Sequence, residues 1–419
     1  MSIFEQRESE IRAYCRVYPV VFDTAENARQ TDEHGNEYID FFAGAGVLNF
    51  GHNNARMKQA VIEYLQRNGV THSLDMHTTA KRRFMERFTE VILEPRRMPH
   101  RMQFMGPTGT NAVEAALKLA RRVTGRHEIV AFQHGFHGMT LGALACTANQ
   151  YFRGAAGVPL THVSHTAFGG EGASADTAMQ ALKMLEASYK DGSSGVTPPA
   201  AFLVEVIQAE GGVNIADKAW LKALAALATS VGALLIVDDI QAGMGRTGSF
   251  FSFDDYGIDP DIVCLAKGLG GMGTPIAMNL VKPEFDQHWS PGEHTGTFRG
   301  QCLSFVAGCE ALSYFEDSQL MREVKEKSAL MQAALAPLNG HTAIEIRGKG
   351  MLYGVDVGSG DLAKLIVNRC FEAGLLVSAC GSGGRVVKLI PPLTTPEADL
   401  KAGLSTLVDV IQNVLKEAA

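Results

Sequence analysis

Ala233-Leu234-Leu235-Ile236-Val237-Asp238-Asp239 is an apolar run that ends in two carboxylates. Asp261-Ile262-Val263-Cys264-Leu265-Ala266-Lys267-Gly268 is a second run, ending in a lysine and a glycine. Both read as strands buried on two faces, the habit of parallel sheets. Open α/β sheets hold their ligands at the carboxyl ends of the strands. A lysine and an aspartate delivered there together match what pyridoxal phosphate needs: the lysine forms a Schiff base and the aspartate partners the pyridinium nitrogen. Taken singly, Lys267 reads as a surface lysine at a strand end.

Outward from these runs, strand candidates lie at 127–132, 201–207, 233–238, 262–266 and 276–281. Helices such as Lys218–Val231 lie between them. This alternation predicts an α/β fold with a mostly parallel sheet covered on both faces. Long helices follow at 305–315 and 321–336, the second stopped by Pro337. Short strands at 351–357 and 386–389 and a closing helix complete the chain. Residues 1–50 hold a helix-like opening, a turn and a short strand. The expected organisation is a large cofactor-binding domain over 51–305 and a smaller α+β domain built from 1–50 and 306–419.

Composition narrows the partners. The 419 residues are 46% hydrophobic and 20% charged with a formal net charge of −7 and no basic stripe, so nucleic acid is an unpromising partner. No apolar run approaches the ~20 residues of a membrane span. The opening Met1-Ser2-Ile3-Phe4-Glu5-Gln6-Arg7 lacks the apolar core of a signal peptide. Seven scattered cysteines show no metal-ligand spacing and read as reduced thiols of a cytosolic protein.

Two glycine-rich stretches compete for a phosphate. Gly106-Pro107-Thr108-Gly109-Thr110 precedes a helix whose Ala112, Val113, Ala116, Leu117 and Ala120 share one face. Backbone N–H groups and the helix dipole at such a start attract an anion, which makes Gly109 and Thr110 phosphate contacts. The plainer reading is a glycine turn capped by Thr108 or Thr110. Gly268-Leu269-Gly270-Gly271-Met272-Gly273 follows a strand as in dinucleotide sites, but what comes next reads as another strand, not a helix, so that reading fails. Those glycines are expected to let backbone pass close to a bound ring.

These motifs, in this order, resemble the class III (ω-) aminotransferases, which have fold type I of the pyridoxal-phosphate enzymes. Gly245-Arg246-Thr247-Gly248, beyond Asp238-Asp239-Ile240-Gln241-Ala242-Gly243, is part of the likeness. The resemblance implies pyridoxal 5'-phosphate as cofactor, with Lys267 as its lysine and proton shuttle and Asp238 on the ring nitrogen. Ile240 and Phe136 would flank the ring, with His137 beside Phe136 in the same cofactor-binding segment; from its residue type, His137 reads as a packing or hydrogen-bonding histidine. Gln241 would contact the ring hydroxyl, and Gly109 and Thr110 the phosphate. Glu205 belongs to a matching segment whose second glutamate, Glu210, gates a substrate arginine. Thr297 would reach the phosphate of a neighbouring subunit, making a homodimer the minimum unit. Asp239 stands where many members carry glutamate and is given a structural role.

The opening around Tyr14 and Pro19, and Phe41-Phe42-Ala43-Gly44-Ala45-Gly46, are similar to the diaminobutyrate–2-oxoglutarate aminotransferases that begin ectoine synthesis. That resemblance implies small-molecule substrates, L-glutamate and L-aspartate 4-semialdehyde. Other ω-aminotransferases (for ornithine, 4-aminobutyrate or siderophore-pathway diaminobutyrate), a decarboxylating relative and an aminomutase are the alternatives, and a cofactor-bearing regulatory module is one from another class. The chain departs from the wider family in three places. Lys388 stands where many members clamp a carboxylate with arginine, and a lysine lacks the planar two-point contact. Either Lys388 acts as a point charge partnered by Glu210, or another arginine does the work. Met139 replaces an arginine of ornithine-type members, and Gly300-Gln301-Cys302 follows Thr297.

Overall fold

The computed structural model describes residues 2–172 and 174–418. Its centre is a seven-stranded sheet in the order Arg101–Phe104, Met278–Val281, Ile262–Leu265, Leu234–Asp238, Ala201–Val204, Ile129–Phe132, Val163–Thr166. Met278–Val281 runs antiparallel to both its neighbours, and the other pairs are parallel. The reversal has a simple cause. Only a short 3₁₀ turn separates Leu265 from Met278, so the chain has no crossover helix to carry it back and must return antiparallel. Every residue of Leu234–Asp238 and Ile262–Leu265 is buried, as two-sided coverage requires.

The helices follow their sequence signals. Gly109–Thr124 buries Ala112, Val113, Ala116, Leu117 and Ala120 and stops at Gly125, whose φ of +68° favours glycine. Lys218–Val231 is capped by Asp217, which accepts from the Trp220 amide at 2.9 Å, and ends at Gly232. The helix expected at 305–315 begins earlier, at Cys302, because the Gln301 side chain accepts from the Ser304 amide at 2.8 Å. The strand expected over 201–207 leaves the central sheet after Val204. Ile207–Gln208 instead forms a two-stranded ribbon with Asn214–Ile215.

Two smaller four-stranded sheets flank the centre. In one, Phe22–Glu26, Arg29–Asp32 and Glu37–Asp40 are joined by Leu375–Leu376, which lies parallel to Glu37–Asp40 and so ties the two ends of the chain together. In the other, Glu345–Lys349, Leu352–Asp356, Val386–Leu389 and Ser378–Cys380 lie side by side. Arg246 links all three regions. Its fully buried guanidinium donates to the carbonyls of Met351 (3.1 Å) and Pro391 and to Asn49 Oδ1 (2.7 Å). Burial pushes it down to about 9. Among the described residues no helix is long and apolar enough to cross a membrane.

Candidate active site

The pairing of Asp238 with Cys264 across the two central strands sets the register of the site. Asp238 closes one strand, and Lys267 follows the other by two residues, so both emerge at the same edge. Lys267 takes a φ of +48°, in the left-handed region that a lysine seldom adopts. It opens a short 3₁₀ turn, Lys267–Gly270, in place of a helix. The glycines after it have close neighbours within the protein. A Cβ on Gly268 would lie 2.8 Å from the Asn49 amide, and one on Gly271 would lie 2.9 Å from the Ala307 carbonyl. Their missing side chains leave room for Asn49 and the Ala307 carbonyl to approach this turn.

Asp238 is fixed before any ligand arrives. Its Oδ2 lies 2.7 Å from His137 Nδ1, and its Oδ1 accepts from the Ile240 amide at 3.2 Å. His137 is buried and anchored through its own amide to Thr147 Oγ1 at 2.9 Å. It therefore supports Asp238 from behind, as a hydrogen-bonding histidine. Glu205, also buried, accepts from the Phe136 amide at 3.0 Å and so holds the loop that carries both Phe136 and His137. Burial pushes the Glu205 carboxyl well above the usual range, and the nearby Asp238 charge adds to it. Asp239 points away into the core, where both its oxygens receive the Ser252 amide and burial pushes it up to about 7. That is the structural place expected of it.

The electrostatics at Lys267 follow from this enclosure. Burial pulls its ammonium down to about 8, against the attraction of Glu210, Asp238 and Glu205 and with the help of Lys388. Lys388 is buried in the strand Val386–Leu389, and its Nζ pairs with Glu210 Oε1. Burial disfavours both charges, but each outweighs it for the other: Glu210 is held down to about 2 and Lys388 is raised. Gln241 Nε2 donates to the same Glu210 oxygen (3.1 Å) and to the Ala45 carbonyl (2.7 Å), and its Oε1 meets no donor among the described residues.

The start of Gly109–Thr124 is built to receive an anion. Thr108 occupies the cap position but makes no capping bond, because its hydroxyl accepts from the Asn111 side chain at 2.7 Å. Among the described residues, no acceptor meets the amides of Gly109 and Thr110. Such orphan amides are normally satisfied by a side chain, water or a ligand. Ile240 packs directly on Gly109, where an added Cβ would lie 3.0 Å from Ile240 Cδ1. Thr110 Oγ1 meets Thr140 Oγ1 at 2.5 Å, and Thr140 in turn donates to Glu114 at 2.6 Å. An amine at a sheet edge, a fixed carboxylate beside it and a set of free amides are the three fittings that pyridoxal phosphate asks for.

The sequence profile of Aminotransferase class-III matches residues 12–411. The chain belongs to the class-III aminotransferases. It is 46% identical over 419 residues to the diaminobutyrate–2-oxoglutarate transaminase of Halalkalibacterium halodurans, covering 99% of this chain and 97% of that one. It is 48% identical to that of Streptomyces coelicolor, with 98% of each covered. Its fold superposes on the ornithine aminotransferase of Toxoplasma gondii with a TM-score of 0.85 at 27% identity, over 99% of this chain and 94% of the other. This class III enzyme is a transaminase, and pyridoxal phosphate is its cofactor.

Lys267 opens onto a cleft of about 1020 Å³. Tyr14, Ala45, Phe136, Glu210 and Lys267 line it, together with Tyr151, Phe152 and Arg153. Thr297 lies outside it, exposed, with its carbonyl accepting from His72 at 2.9 Å. Arg153 was not singled out from the sequence, since it stands in a short polar segment with no motif of its own.

Proposed function

We propose that this enzyme moves the amino group of L-glutamate to the aldehyde of L-aspartate 4-semialdehyde, giving 2-oxoglutarate and L-2,4-diaminobutyrate, as the first step of ectoine synthesis. The geometry that carries the transamination is the meeting of a proton-poor Lys267 with the His137-braced Asp238 at one sheet edge. The substrate pair is supported by full-length relatives named for it at 46 to 48% identity.

The residue roles follow. Gly109 and Thr110 hold the phosphate with their free amides. Ile240 and Phe136 flank the ring, Gln241 Oε1 faces its hydroxyl, and Asp238 keeps its nitrogen protonated. Pyridoxal phosphate supplies an electron sink for the bond being broken. Lys267 Nζ, neutral in a good fraction of molecules near pH 8, would take and hold the proton released by the reacting carbon. Lys388 acts as a point charge for the α-carboxylate of glutamate, with Glu210 withdrawing to admit it. The unit is a homodimer at minimum, in which Thr297 reaches the neighbouring phosphate; exposure of Thr297 and Phe298 supports this. We place it in the cytoplasm, where seven unpaired cysteines are at home.

The test is the visible absorbance of the holoenzyme. L-2,4-diaminobutyrate should bleach the cofactor band ahead of ornithine and 4-aminobutyrate, and 2-oxoglutarate should restore it. Preferential bleaching by another amine would keep the transaminase and discard the substrate.

A further inference from the structure

Arg153 lines the catalytic cleft and has been given no work. Its Nη1 is anchored by the carbonyls of Leu144 (3.3 Å), Ala145 (2.7 Å) and Thr147 (3.0 Å). Among the described residues Nε and Nη2 have no acceptor, and no carboxylate pairs with Arg153. The adjoining Phe152 ring lies edge-on to Phe136 at 5.6 Å. The other cations nearby are committed. Lys267 is the reacting amine, and Lys388, paired with Glu210 and absent from the cleft lining, is already assigned to the α-carboxylate of glutamate. Burial keeps His134 and His165, both on the cleft, on the neutral side. Arg153 is the one guanidinium among the described residues that line the cleft.

The chemistry of the two substrates supplies a reason for a single fixed cation. Diaminobutyrate reacts at C4, and its carboxylate carbon, C1, lies three carbon–carbon bonds away. Glutamate reacts at C2, and its side-chain carboxylate carbon, C5, also lies three carbon–carbon bonds away. One receptor at one distance serves both halves of the cycle. We propose that Arg153 is that receptor, binding the remote carboxylate of either substrate through Nε and Nη2 while Nη1 stays tied to the backbone. This rests on the diaminobutyrate reading for one substrate and on glutamate as donor for the other. Arg153 also caps the end of the helix Leu141–Cys146, a structural duty that a test must separate from binding.

The experiment compares each amino acid with the amine that lacks its remote carboxylate: diaminobutyrate with 1,3-diaminopropane, and glutamate with L-2-aminobutyrate. Bleaching of the holoenzyme is followed in the natural protein, Arg153→Met and Arg153→Lys. Loss of a charge-assisted pair should raise the KM for diaminobutyrate and glutamate about tenfold to hundredfold in Arg153→Met. The KM for the two truncated amines should stay within about twofold, and Arg153→Lys should fall between. Equal weakening of all four amines would make Arg153 merely structural, and no weakening would remove it from the site. If Arg153→Met does not fold, a natural enzyme that handles full and truncated amines alike, or an unchanged Arg153→Lys, overturns the proposal. Bleaching by glutamate but not by diaminobutyrate would refute the substrate reading instead, and the glutamate pair would still decide Arg153.

Discussion

At the scale of the residue, an amine attacks an aldehyde only when neutral, and the enclosure of Lys267 decides how often it is. An ordinary lysine releases its proton near pH 10.4, so its neutral fraction still rises at pH 9. With its proton lost at about 8, Lys267 is mostly neutral above that pH and loses tenfold in neutral fraction for each unit below. Uptake of pyridoxal phosphate by the apoenzyme should therefore slow about tenfold per unit below pH 8 and level off above it. A rate that keeps climbing to pH 10 would show an unperturbed amine. Lys267→Ala should fold normally yet lose at least about 10²–10⁴-fold in turnover. Lys267 and Asp238 were legible in the sequence because each ends an uninterrupted apolar run. The tie between Asp238 and His137 was not, since 101 residues separate them and only the fold sets their 2.7 Å contact.

At the scale of the element, the approach of one loop to one helix start holds the phosphate end of the site. Gly138 has a φ of +126°, and a Cβ there would collide with Thr110 Oγ1 and lie 3.0 Å from Thr110 Cα. Gly138→Ala must push the loop off the helix, and overpacking of this kind costs ~1–3 kcal/mol. The variant should hold pyridoxal phosphate about tenfold more weakly, read as cofactor lost during gel filtration; full retention would mean that the helix start tolerates the shift. Elements with strong local signals were readable. Lys218–Val231 has its Asp217 cap and Gly232 stop, and Val386–Leu389 is a short apolar run. Arg101–Phe104 and Val163–Thr166 gave no such signal, because they are the sheet's edge strands and are only partly buried. Leu375–Leu376 is too short to announce itself, and its pairing partner lies more than three hundred residues earlier.

At the scale of the molecule, Arg246 joins a central loop to both ends of the chain with no carboxylate partner among the described residues. Three acceptors from three regions converge on it, and a lysine's single ammonium cannot span them. Arg246→Lys should cost about 3 kcal/mol or more, and should do so cooperatively. Denaturant unfolding followed by fluorescence would check this: a lower midpoint is expected, whereas an unchanged one would confine Arg246 to a local role. The motif Gly245-Arg246-Thr247-Gly248 was visible in the sequence, but nothing there said that its arginine would face inward.

The seven thiols are unequally placed. Cys146, Cys264, Cys302, Cys309, Cys370 and Cys380 are buried, and burial drives Cys146, Cys370 and Cys380 up to about 12. Cys15 is exposed and sits beside Tyr14, on the rim of the cleft. The natural chain thus comes with a ready attachment point: a maleimide dye should load once per chain, at Cys15, and report through its colour and brightness when something enters the cleft next door.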